Sequence, residues 1–369
     1  MLKIKEINDN ENFSLVSNGN IESNNCSHSE KVFEPSGDYE VSTLLERDTE
    51  ALGHQIAGHS RTGVLKHKLG YVLKPLQKEP LGTREVNFYF KVFGTVPRIE
   101  DNDNYATTTP DQDGDQRKRN SNLTLQKYLS KFYGVMRIHS MDEETGNPTW
   151  KHYIALEDLV EGFLKPCVVD IKVGAQTWDS LASPKKVAHE RSKYIGTKQP
   201  IGLSLSGMQY YDLRAKKTSK MEKEFGKTLV VSTFIDTIYE FLNGASDPTI
   251  PNYIATKLLP RLKEIQEYFK VQREFCFYSS SLLIGYDAYR FEAQKLLKQN
   301  CNWELNDNLG DNTTSSWLRV CMIDFAHVTP MEGTNPGPDT NYQFGLNNLI
   351  KIFSELSSST DIQSSSDSE

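Results

Sequence analysis

The alternation of apolar and polar residues early in the chain predicts a hairpin followed by a helix. Thr62–His67 and Tyr71–Leu76 have the residue types of strands, and Lys68–Gly70 between them supplies a short glycine turn. The apolar residues of Arg84–Phe93 are too dense for their period to separate a helix from a strand. The Gly-Thr pair that precedes this segment favours a helix.

Three later apolar runs predict further strands. They are Phe132–Ile138, Trp150–Leu156 and Cys167–Val173. The third run is bracketed by a proline and a glycine and contains two charged residues, which a buried strand must accommodate. Upstream of these strands, residues 98–122 have almost no apolar side chains and predict an inserted acidic surface loop.

Helical spacing of apolar residues dominates the middle of the second half. Ser232 can cap a helix that runs to Leu242, where Gly244 ends it. Asn252 can cap a second helix that reaches about Lys270, with apolar residues three and four positions apart. Both helices are therefore predicted to face a core.

Two β-rich runs and a closing helix complete the pattern. The runs are Phe275–Tyr286 and Trp317–Phe325, separated by a polar loop, and the helix is Asn341–Leu356. Because the strands are grouped before and after the helices and do not alternate with them, this order predicts the α+β class.

Composition along the chain divides it into two tails and two lobes. Residues 1–45 are rich in Asn, Ser and Glu, and 357–369 are rich in Ser and Asp. Neither segment can bury enough apolar surface to offset the entropy of ordering, so both are predicted to be disordered. We assign 46–160 to an N-terminal lobe and 161–356 to a larger C-terminal lobe.

The overall composition narrows the class of protein. With 37% hydrophobic and 25% charged residues over 369 positions, the chain can build a sizeable core. No run reaches the roughly 18 to 20 apolar residues of a membrane span, and the N-terminus lacks the apolar stretch of a secretory signal. We therefore expect a cytoplasmic or nuclear protein without stable membrane insertion.

Charge and cysteine usage exclude further classes. The net charge of −7 argues against nucleic acid as a partner, although it is compatible with a local basic pocket. The five cysteines show neither CxxC spacing nor a metal-like cluster with histidine, which predicts buried free thiols in a reducing compartment. The sequence has no heptad and no conspicuous apolar stripe, so we expect a monomer.

Asp170 and Lys172 are the first candidates for chemistry. They lie two positions apart on a predicted strand, so a carboxylate and an ammonium project from the same face. A buried ion pair is the ordinary structural explanation, and such pairs often add little net stability because desolvation offsets the attraction. The residue types by themselves support the functional and structural explanations equally.

A second carboxylate and a second lysine complete the candidates on strands. Asp324 ends an apolar strand, where it could hold Mg²⁺ rigidly for phosphoryl transfer, although an aspartate at a strand end commonly starts a turn. Lys74, on the predicted hairpin, could hold nucleotide phosphates with Glu85 of the next helix as its ion partner. From the residue types alone, two surface charges are the favoured explanation of Lys74 and Glu85.

A cationic stripe is predicted on a helix over about 184–196. Lys186, His189 and Lys193 fall at positions i, i+3 and i+7, so they share one face. The stripe could give a polyanion several charge-assisted hydrogen bonds, although a solvated face is the simpler explanation for a charge run. The chain has no P-loop, protein-kinase catalytic loop or nucleophile elbow, which disfavours those classes.

Three motifs in order resemble the signature of the inositol polyphosphate kinase family. They are Pro166–Gly174 with the pattern PxxxDxKxG, Ser280–Leu283 (SSLL) and Ile323–Phe325 (IDF). The resemblance extends over roughly residues 50–356. It implies a two-lobed kinase-like fold, with an antiparallel sheet plus a helix in the N-lobe and a helical inositol phosphate binding segment in the larger α+β C-lobe.

Within the family, the chain most resembles the inositol polyphosphate multikinases. The resemblance rests on His54–His59 (HQIAGH), on Trp178-Asp179 and on the IDFAHV form of the last motif. The hexakisphosphate kinases share Ser279–Leu283 and Gly207–Gln209 with this chain, and they are the alternative.

The resemblance also implies roles on the nucleotide side. Lys74 would hold the ATP phosphates, and Glu157 with Leu159 would bind adenine through backbone groups. Asp170 would meet the ribose, with a role as a base as the alternative. Asp324 would hold Mg²⁺.

On the acceptor side, Lys172 would neutralise the transferred phosphoryl group and contact the acceptor. With it, the inositol phosphate site would comprise Arg84, Lys186, His189, Lys193 and His327. Glu190 departs from what a polyanion site favours, because its charge lies beside the stripe. Pro184 lies where the helix should begin, a position in which proline is tolerated.

The implied activity is transfer of the γ-phosphoryl group of ATP to hydroxyls of inositol tris- and tetrakisphosphates. Positioning and charge neutralisation would supply most of the catalysis, without a covalent enzyme intermediate. One alternative is a hexakisphosphate kinase that makes diphosphates, and another is a non-catalytic inositol phosphate binding scaffold. Phosphoinositide head groups are compatible with the same site.

Overall fold

The N-terminal part of the chain folds around a six-stranded sheet. The computed structural model describes residues 41–53, 63–94, 116–141, 146–292, 317–333 and 336–358. The sheet has the order β1-β5-β6-β4-β3-β2. Its strands are β1 (Val41–Leu44), β2 (Thr49–Ala51), β3 (Leu65–His67), β4 (Tyr71–Pro75), β5 (Phe132–Met141) and β6 (Pro148–Glu157). The predicted segment 54–59 and the terminal residues 1–40 and 359–369 lie outside the described ranges.

The predicted hairpin is β3 and β4, which pair antiparallel. Gly70 in their turn has φ of 85°, a left-handed conformation that glycine adopts without steric cost. The helix α1 (Leu81–Phe93) follows, as predicted, and begins three residues earlier than Arg84. Its buried face places a charged residue, Glu85, beside apolar side chains that pack into the core.

Residues 116–122 correct the predicted loop, because α2 (Gln116–Gln126) is a helix. The amides of Asn122 and Gln126 donate to the carbonyls of Lys91 and Val92 at the end of α1, at 3.1 and 2.7 Å. These bonds satisfy carbonyls that a helix end leaves without partners. The apolar pattern of α2 is weak, so its residues show no helical period.

A five-stranded antiparallel sheet forms the centre of the C-terminal part, in the order β12-β11-β7-β8-β9. Its strands are β7 (Pro166–Val173), β8 (Leu203–Asp212), β9 (Lys217–Met221), β11 (Ser281–Asp287) and β12 (Leu318–Ile323), and a small separate sheet pairs β10 (Phe275–Phe277) with β13 (Val328–Pro330). The helices are α3 (Pro184–Ser192), α4 (Ile195–Ile201), α5 (Lys223–Thr228), α6 (Val231–Phe241), α7 (Thr249–Val271) and α8 (Thr340–Ser358).

Aromatic side chains join the first helix to the C-terminal part. The ring of Phe88 on α1 stacks on Phe325, with centroids 4.3 Å apart, and Tyr89 contacts the edge of the same ring. Phe269 of α7 stacks on Tyr342 of α8 at 4.1 Å. Burying these rings contributes roughly 2 to 3 kcal/mol each by area and fixes α1 against the end of β12.

Three predicted boundaries are wrong. Val41–Leu44, assigned to the disordered tail, form β1, which pairs parallel with β5 and makes the first sheet mixed. Ser232 lies inside α6, whose N-cap is Val230, and the Thr233 hydroxyl there accepts from the Val230 N–H. Asn252 lies inside α7 and donates from its side chain to the Ser357 carbonyl of α8. Thr233 and not Ser232 therefore bonds at the start of α6, and Asn252 joins α7 to α8 instead of capping a helix.

The predicted helix over 184–196 is two helices. Pro184 occupies the first helical position of α3, where Ser183 caps it by accepting from the Lys186 N–H. The backbone of Lys193 is extended, and Tyr194 has φ of 53°. The chain thus turns sharply between α3 and α4.

None of the described helices has both the length and the apolar character of a membrane span.

Candidate active site

A cleft of about 1080 Å³ lies between the two sheets. Apolar side chains from both parts of the chain form its walls: Leu52, Val64, Val72, Leu156, Val160, Val168, Leu283 and Ile323. Charged residues also line it, among them Lys74, Asp170, Asp324, Arg84 and Lys186. A mostly apolar cleft that also carries charged groups suits a ligand that has an aromatic base and a polyanionic tail.

Asp324 is held between two lysines. It follows the last residue of β12 with φ of 65°, a conformation that aspartate tolerates better than most residues. Lys74 donates to Oδ1 at 2.8 Å, and Lys172 donates to Oδ2 at 3.1 Å. The two ammonium groups therefore meet across one carboxylate, at the side of the cleft where Asp170 also lies.

Glu85 completes this arrangement from α1. Its Oε1 accepts from Lys74 at 2.6 Å and from the Phe325 N–H at 3.0 Å. The sequence-predicted pair of Lys74 and Glu85 is thus present, and only 1% of the Glu85 side chain is exposed. Because one carboxylate oxygen receives both donors, α1 fixes Lys74 and the turn at Asp324 together.

The charges in this cluster shift one another's titration. Burial opposes ionisation of Asp324, but Lys74 and Lys172 outweigh it and hold its pKa well below the ordinary value. Burial likewise opposes the charged form of Lys74, but Asp324 and Glu85 raise its pKa above the ordinary value. Asp324, Lys74 and Lys172 are therefore charged across the physiological pH range.

Lys172 bonds with Asp324 and not, as the strand pattern suggested, with Asp170. Its ammonium also donates to the Ser279 carbonyl at 2.9 Å and to the Ser281 hydroxyl at 3.2 Å. Ser281 belongs to the SSLL segment and Ser279 directly precedes that segment. β11 pairs with β7 so that Ser281 lies opposite Lys172. Two of the sequence motifs thus meet at one ammonium group.

Asp170 lies in the same wall of the cleft and is 3% exposed. Its Oδ1 has no hydrogen-bond partner within the described part of the chain. Burial raises the pKa of this carboxyl, Lys172 opposes the rise and Asp324 adds to it. A buried carboxylate oxygen without a partner is costly, so this position favours a ligand that donates to it or coordinates it.

Both residues of the predicted hinge line the cleft. Glu157 is the last residue of β6, and it lines the cleft together with Leu159. The Glu157 N–H donates to the Lys131 carbonyl at 2.9 Å, which ties the hinge to the segment before β5. Within the described residues, the Leu159 N–H makes no backbone hydrogen bond.

The structure does not support the predicted cationic stripe. Lys186 lines the cleft, but His189 is exposed on α3 and Lys193 lies beyond the end of that helix. Lys193 instead donates to Glu190 at 2.6 Å, and Glu190 also accepts from Thr177 at 3.0 Å. Because α3 ends at Ser192, side chains that a continuous helix would have aligned lie apart.

Arg84 and His327 meet at a third residue, Asp179. Arg84 Nη1 donates to Asp179 Oδ2 at 2.9 Å, and His327 Nδ1 lies 3.1 Å from the same oxygen. Asp179 is 4% exposed and lines the cleft with Arg84 and Lys186. The two residues predicted to complete the acceptor site are therefore together, but a carboxylate lies between them.

Sequence reasoning missed three residues beside this site. Asp179 was noted only for its family resemblance, and no local pattern predicted its contacts with Arg84 and His327. Lys223 lies near Lys172 and Lys193: burial lowers its pKa, and the neighbouring ammonium groups lower it further. Lys198 is fully buried and donates to the Glu190 carbonyl at the end of α3. Hydrophobic periodicity cannot find such residues, because their roles depend on contacts between distant segments.

The family follows from a comparison with family sequence models. A model described as "Inositol polyphosphate kinase" matches residues 153–354, more than half of the chain. The chain belongs to the inositol polyphosphate kinase family. The matched range contains Asp170, Lys172, the segment of α3 and Asp324, and the family predicted from three short motifs is confirmed.

Relatives include both kinds of kinase that the motifs resembled. The chain is 30% identical over 241 residues to the inositol polyphosphate multikinases of Rattus norvegicus and Homo sapiens, with 64% of this chain and 53% and 51% of those proteins covered. Inositol hexakisphosphate kinase 1 of Homo sapiens is 28% identical over 271 residues, with 64% and 60% covered. The chain spans about half the length of the curated multikinases it matches.

The fold is also that of a solved inositol polyphosphate kinase. The crystal structure of inositol phosphate multikinase Ipk2 from S. cerevisiae, in complex with ADP and Mn2+, superposes with a TM-score of 0.53 at 23% identity. The match covers 77% of this chain and 98% of that one. The predicted α+β, kinase-like architecture is therefore confirmed.

Proposed function

We propose that this chain is an ATP-dependent inositol polyphosphate kinase of the multikinase kind, acting on inositol tris- and tetrakisphosphates. The observation that carries the proposal is the meeting of Lys74, Asp324 and Lys172 beside a cleft whose walls are mostly apolar. Phosphoryl transfer needs positioned cations and an acid for the metal, and these three residues supply them. The multikinase names of the first relatives agree with the proposal.

The apolar walls of the cleft suit adenine. The aliphatic walls can cover both faces of a base, and the Leu159 N–H at the hinge can donate to a ring nitrogen. Lys74 then lies where the phosphates of a nucleotide in this cleft would reach. The ADP in the crystal structure of the yeast multikinase supports a nucleotide as the ligand.

The carboxylates fit a divalent metal ion such as Mg²⁺. No group of three or more His, Cys, Asp or Glu side chains in the described ranges could hold a metal by itself. Mg²⁺ does not need such a cage, because one or two carboxylates and the substrate phosphates complete its shell. Asp324 and the unpartnered oxygen of Asp170 would supply the carboxylates. When bound, the ion would neutralise charge on the phosphates.

The chain's own residues supply the remaining chemistry. Lys172 is fixed by two serine contacts, so its ammonium can stabilise charge on the transferred phosphoryl group without reorganising. Lys74 holds the nucleotide side, tied to α1 by Glu85. The acceptor hydroxyl approaches from the side of Lys186 and Arg84. Positioning and electrostatics thus provide the mechanism without a dedicated strong base.

Phosphates of the acceptor are assigned to lysines around the end of α3. Lys186 lines the cleft, and Lys172 and Lys193 both lie close enough to Lys223 to help lower its pKa. An anion between these ammonium groups would relieve their mutual repulsion. His189 is left out of this set, because the structure places it on the exposed side of α3.

Replacing Lys223 with glutamine is expected to raise the KM for the inositol phosphate by about tenfold, since a charge-assisted hydrogen bond is lost. The KM for ATP should not change, because Lys223 does not line the nucleotide cleft. Initial-rate kinetics with each substrate varied in turn provide the measurement. Lys227→Gln is the control, because that lysine is also on α5 and pairs with Glu224. An equal rise in both variants would contradict the assignment.

The test of the proposed function is turnover of a panel of inositol phosphates, from tris- to hexakisphosphate, with ATP and Mg²⁺. Products are separated by ion exchange and their ring positions read by NMR. We expect phosphorylation of the tris- and tetrakisphosphates. Turnover confined to the hexakisphosphate would assign the chain to the diphosphate-forming kinases, and acceptor binding without turnover would favour the scaffold alternative.

A further inference from the structure

The corner formed by Arg84, Asp179 and His327 differs from the rest of the acceptor side. Asp179 Oδ2 accepts from Arg84 at 2.9 Å and lies 3.1 Å from His327 Nδ1. Its other oxygen accepts from the Leu181 N–H at 3.1 Å, so both carboxylate oxygens are used. One buried carboxylate therefore holds an arginine from α1, a histidine from the loop before β13 and the turn that leads to α3.

The hydrogen bonds fix the form of the histidine. A carboxylate only accepts, so His327 Nδ1 must carry the proton in its contact with Asp179. In the neutral imidazole, Nε2 then has a free lone pair and accepts a hydrogen bond. Burial lowers the pKa of His327, Asp179 opposes that shift, and Lys186 and Arg84 reinforce it. The net result is a pKa below the ordinary 6.5, so the ring is neutral at pH 7.

The charge of the corner follows from these states. The positive charge of Arg84 is balanced by Asp179, and His327 adds none. A phosphate gains little from a neutral corner, whereas a hydroxyl can donate to His327 Nε2 and accept from a remaining N–H of Arg84. Lys186 and Lys223 provide the positive charge that a phosphate requires, whereas Lys193 pairs with Glu190.

We propose that Asp179 is a positioning residue for the acceptor: it orients Arg84 and His327 and keeps their corner neutral, so that the corner receives a ring hydroxyl and not a phosphate. This inference rests on the proposed function, and it assigns the side of the acceptor site that selects for an unphosphorylated ring position. Asp179 itself acts through the two side chains that it holds.

Asp179→Asn is the direct test. Asparagine has one oxygen, so it cannot accept from the Leu181 N–H with one oxygen and from Arg84 and His327 with the other. We expect the KM for the inositol phosphate to rise by roughly tenfold while the KM for ATP stays unchanged. Asp287→Asn is the matched control, because Asp287 accepts from the Leu164 and Lys165 N–H groups at the far end of β11. That variant should lose stability without a change in either KM.

The pH profile separates positioning from a merely structural role. Arg84, Lys186 and Asp179 influence His327, and Tyr278 lies close to Asp179. Because Asp179 raises the pKa of His327, its neutralisation should move the acid limb of kcat/KM for the acceptor to lower pH. If the corner bound a phosphate instead, protonation of His327 would strengthen binding of the acceptor. The kcat/KM for the acceptor would then rise as the pH falls.

Nitrogen NMR of the imidazole supplies a readout that does not depend on turnover. In the ¹⁵N-labelled chain at pH 7 we expect His327 as the neutral Nδ1–H form, and it should stay neutral when inositol trisphosphate is added. An imidazolium in the complex, or an Nε2–H form in the free protein, would overturn the assignment. Binding without turnover would overturn only the proposed function, and absence of any acceptor binding would overturn both.

Discussion

Replacing Asp324 with asparagine is expected to lower kcat by on the order of 10³-fold, because the variant removes the acid between Lys74 and Lys172. Asparagine matches aspartate in shape and tolerates the φ of 65° at this position, so the turn after β12 should be kept. Single-turnover kinetics with saturating ATP and acceptor measure the effect on the chemical step. Full activity in this variant would remove the metal-binding role of Asp324.

Stability against pH is the companion measurement for Asp324. Its pKa in the folded chain is below the ordinary 3.8, so its favourable interactions are fully present above that value. They are lost as the pH falls through the folded pKa. The difference in unfolding free energy between the wild type and Asp324→Asn should therefore be constant above about pH 5 and shrink below it. A difference that grows on acidification would contradict the observed ion pairs.

Replacing Lys172 with methionine is expected to lower kcat by roughly 10² to 10³-fold with little change in the KM for ATP. Methionine fills a similar volume but cannot donate to Asp324, to the Ser279 carbonyl or to the transferred phosphoryl group. Lys74→Met should differ, because loss of the lysine on the nucleotide side should raise the KM for ATP. Steady-state kinetics of both variants separate the two roles.

Lys165→Met is the control for the Lys172 variant. Lys165 directly precedes β7, the strand that carries Lys172, and it pairs with Glu292 outside the cleft. Removal of that ion pair should leave both KM values and kcat unchanged. A loss of kcat as large as that of Lys172→Met would indicate that β7 is simply sensitive to losing any lysine.

Local sequence patterns were sufficient for the strands that carry the chemistry. The apolar run around Asp170 and Lys172 and the hairpin that contains Lys74 follow from residue alternation, which depends only on near neighbours. The pairing of Lys74 with Glu85 was also predictable, because the two residues are only 11 positions apart on consecutive elements. The family signature indicated a function for these residues, which the local patterns do not do.

The sequence by itself determined which residues carry charge and which strands hold them, whereas the tertiary structure decided which charges meet. Lys74 reaches Asp324 across 250 positions, and Arg84 reaches Asp179 across 95. No local period encodes such contacts, because they depend on how β7, β12 and α1 pack together. The same reason explains the break after Ser192: the helical pattern continued into Lys193, but pairing with Glu190 and the turn at Tyr194 placed that side chain elsewhere.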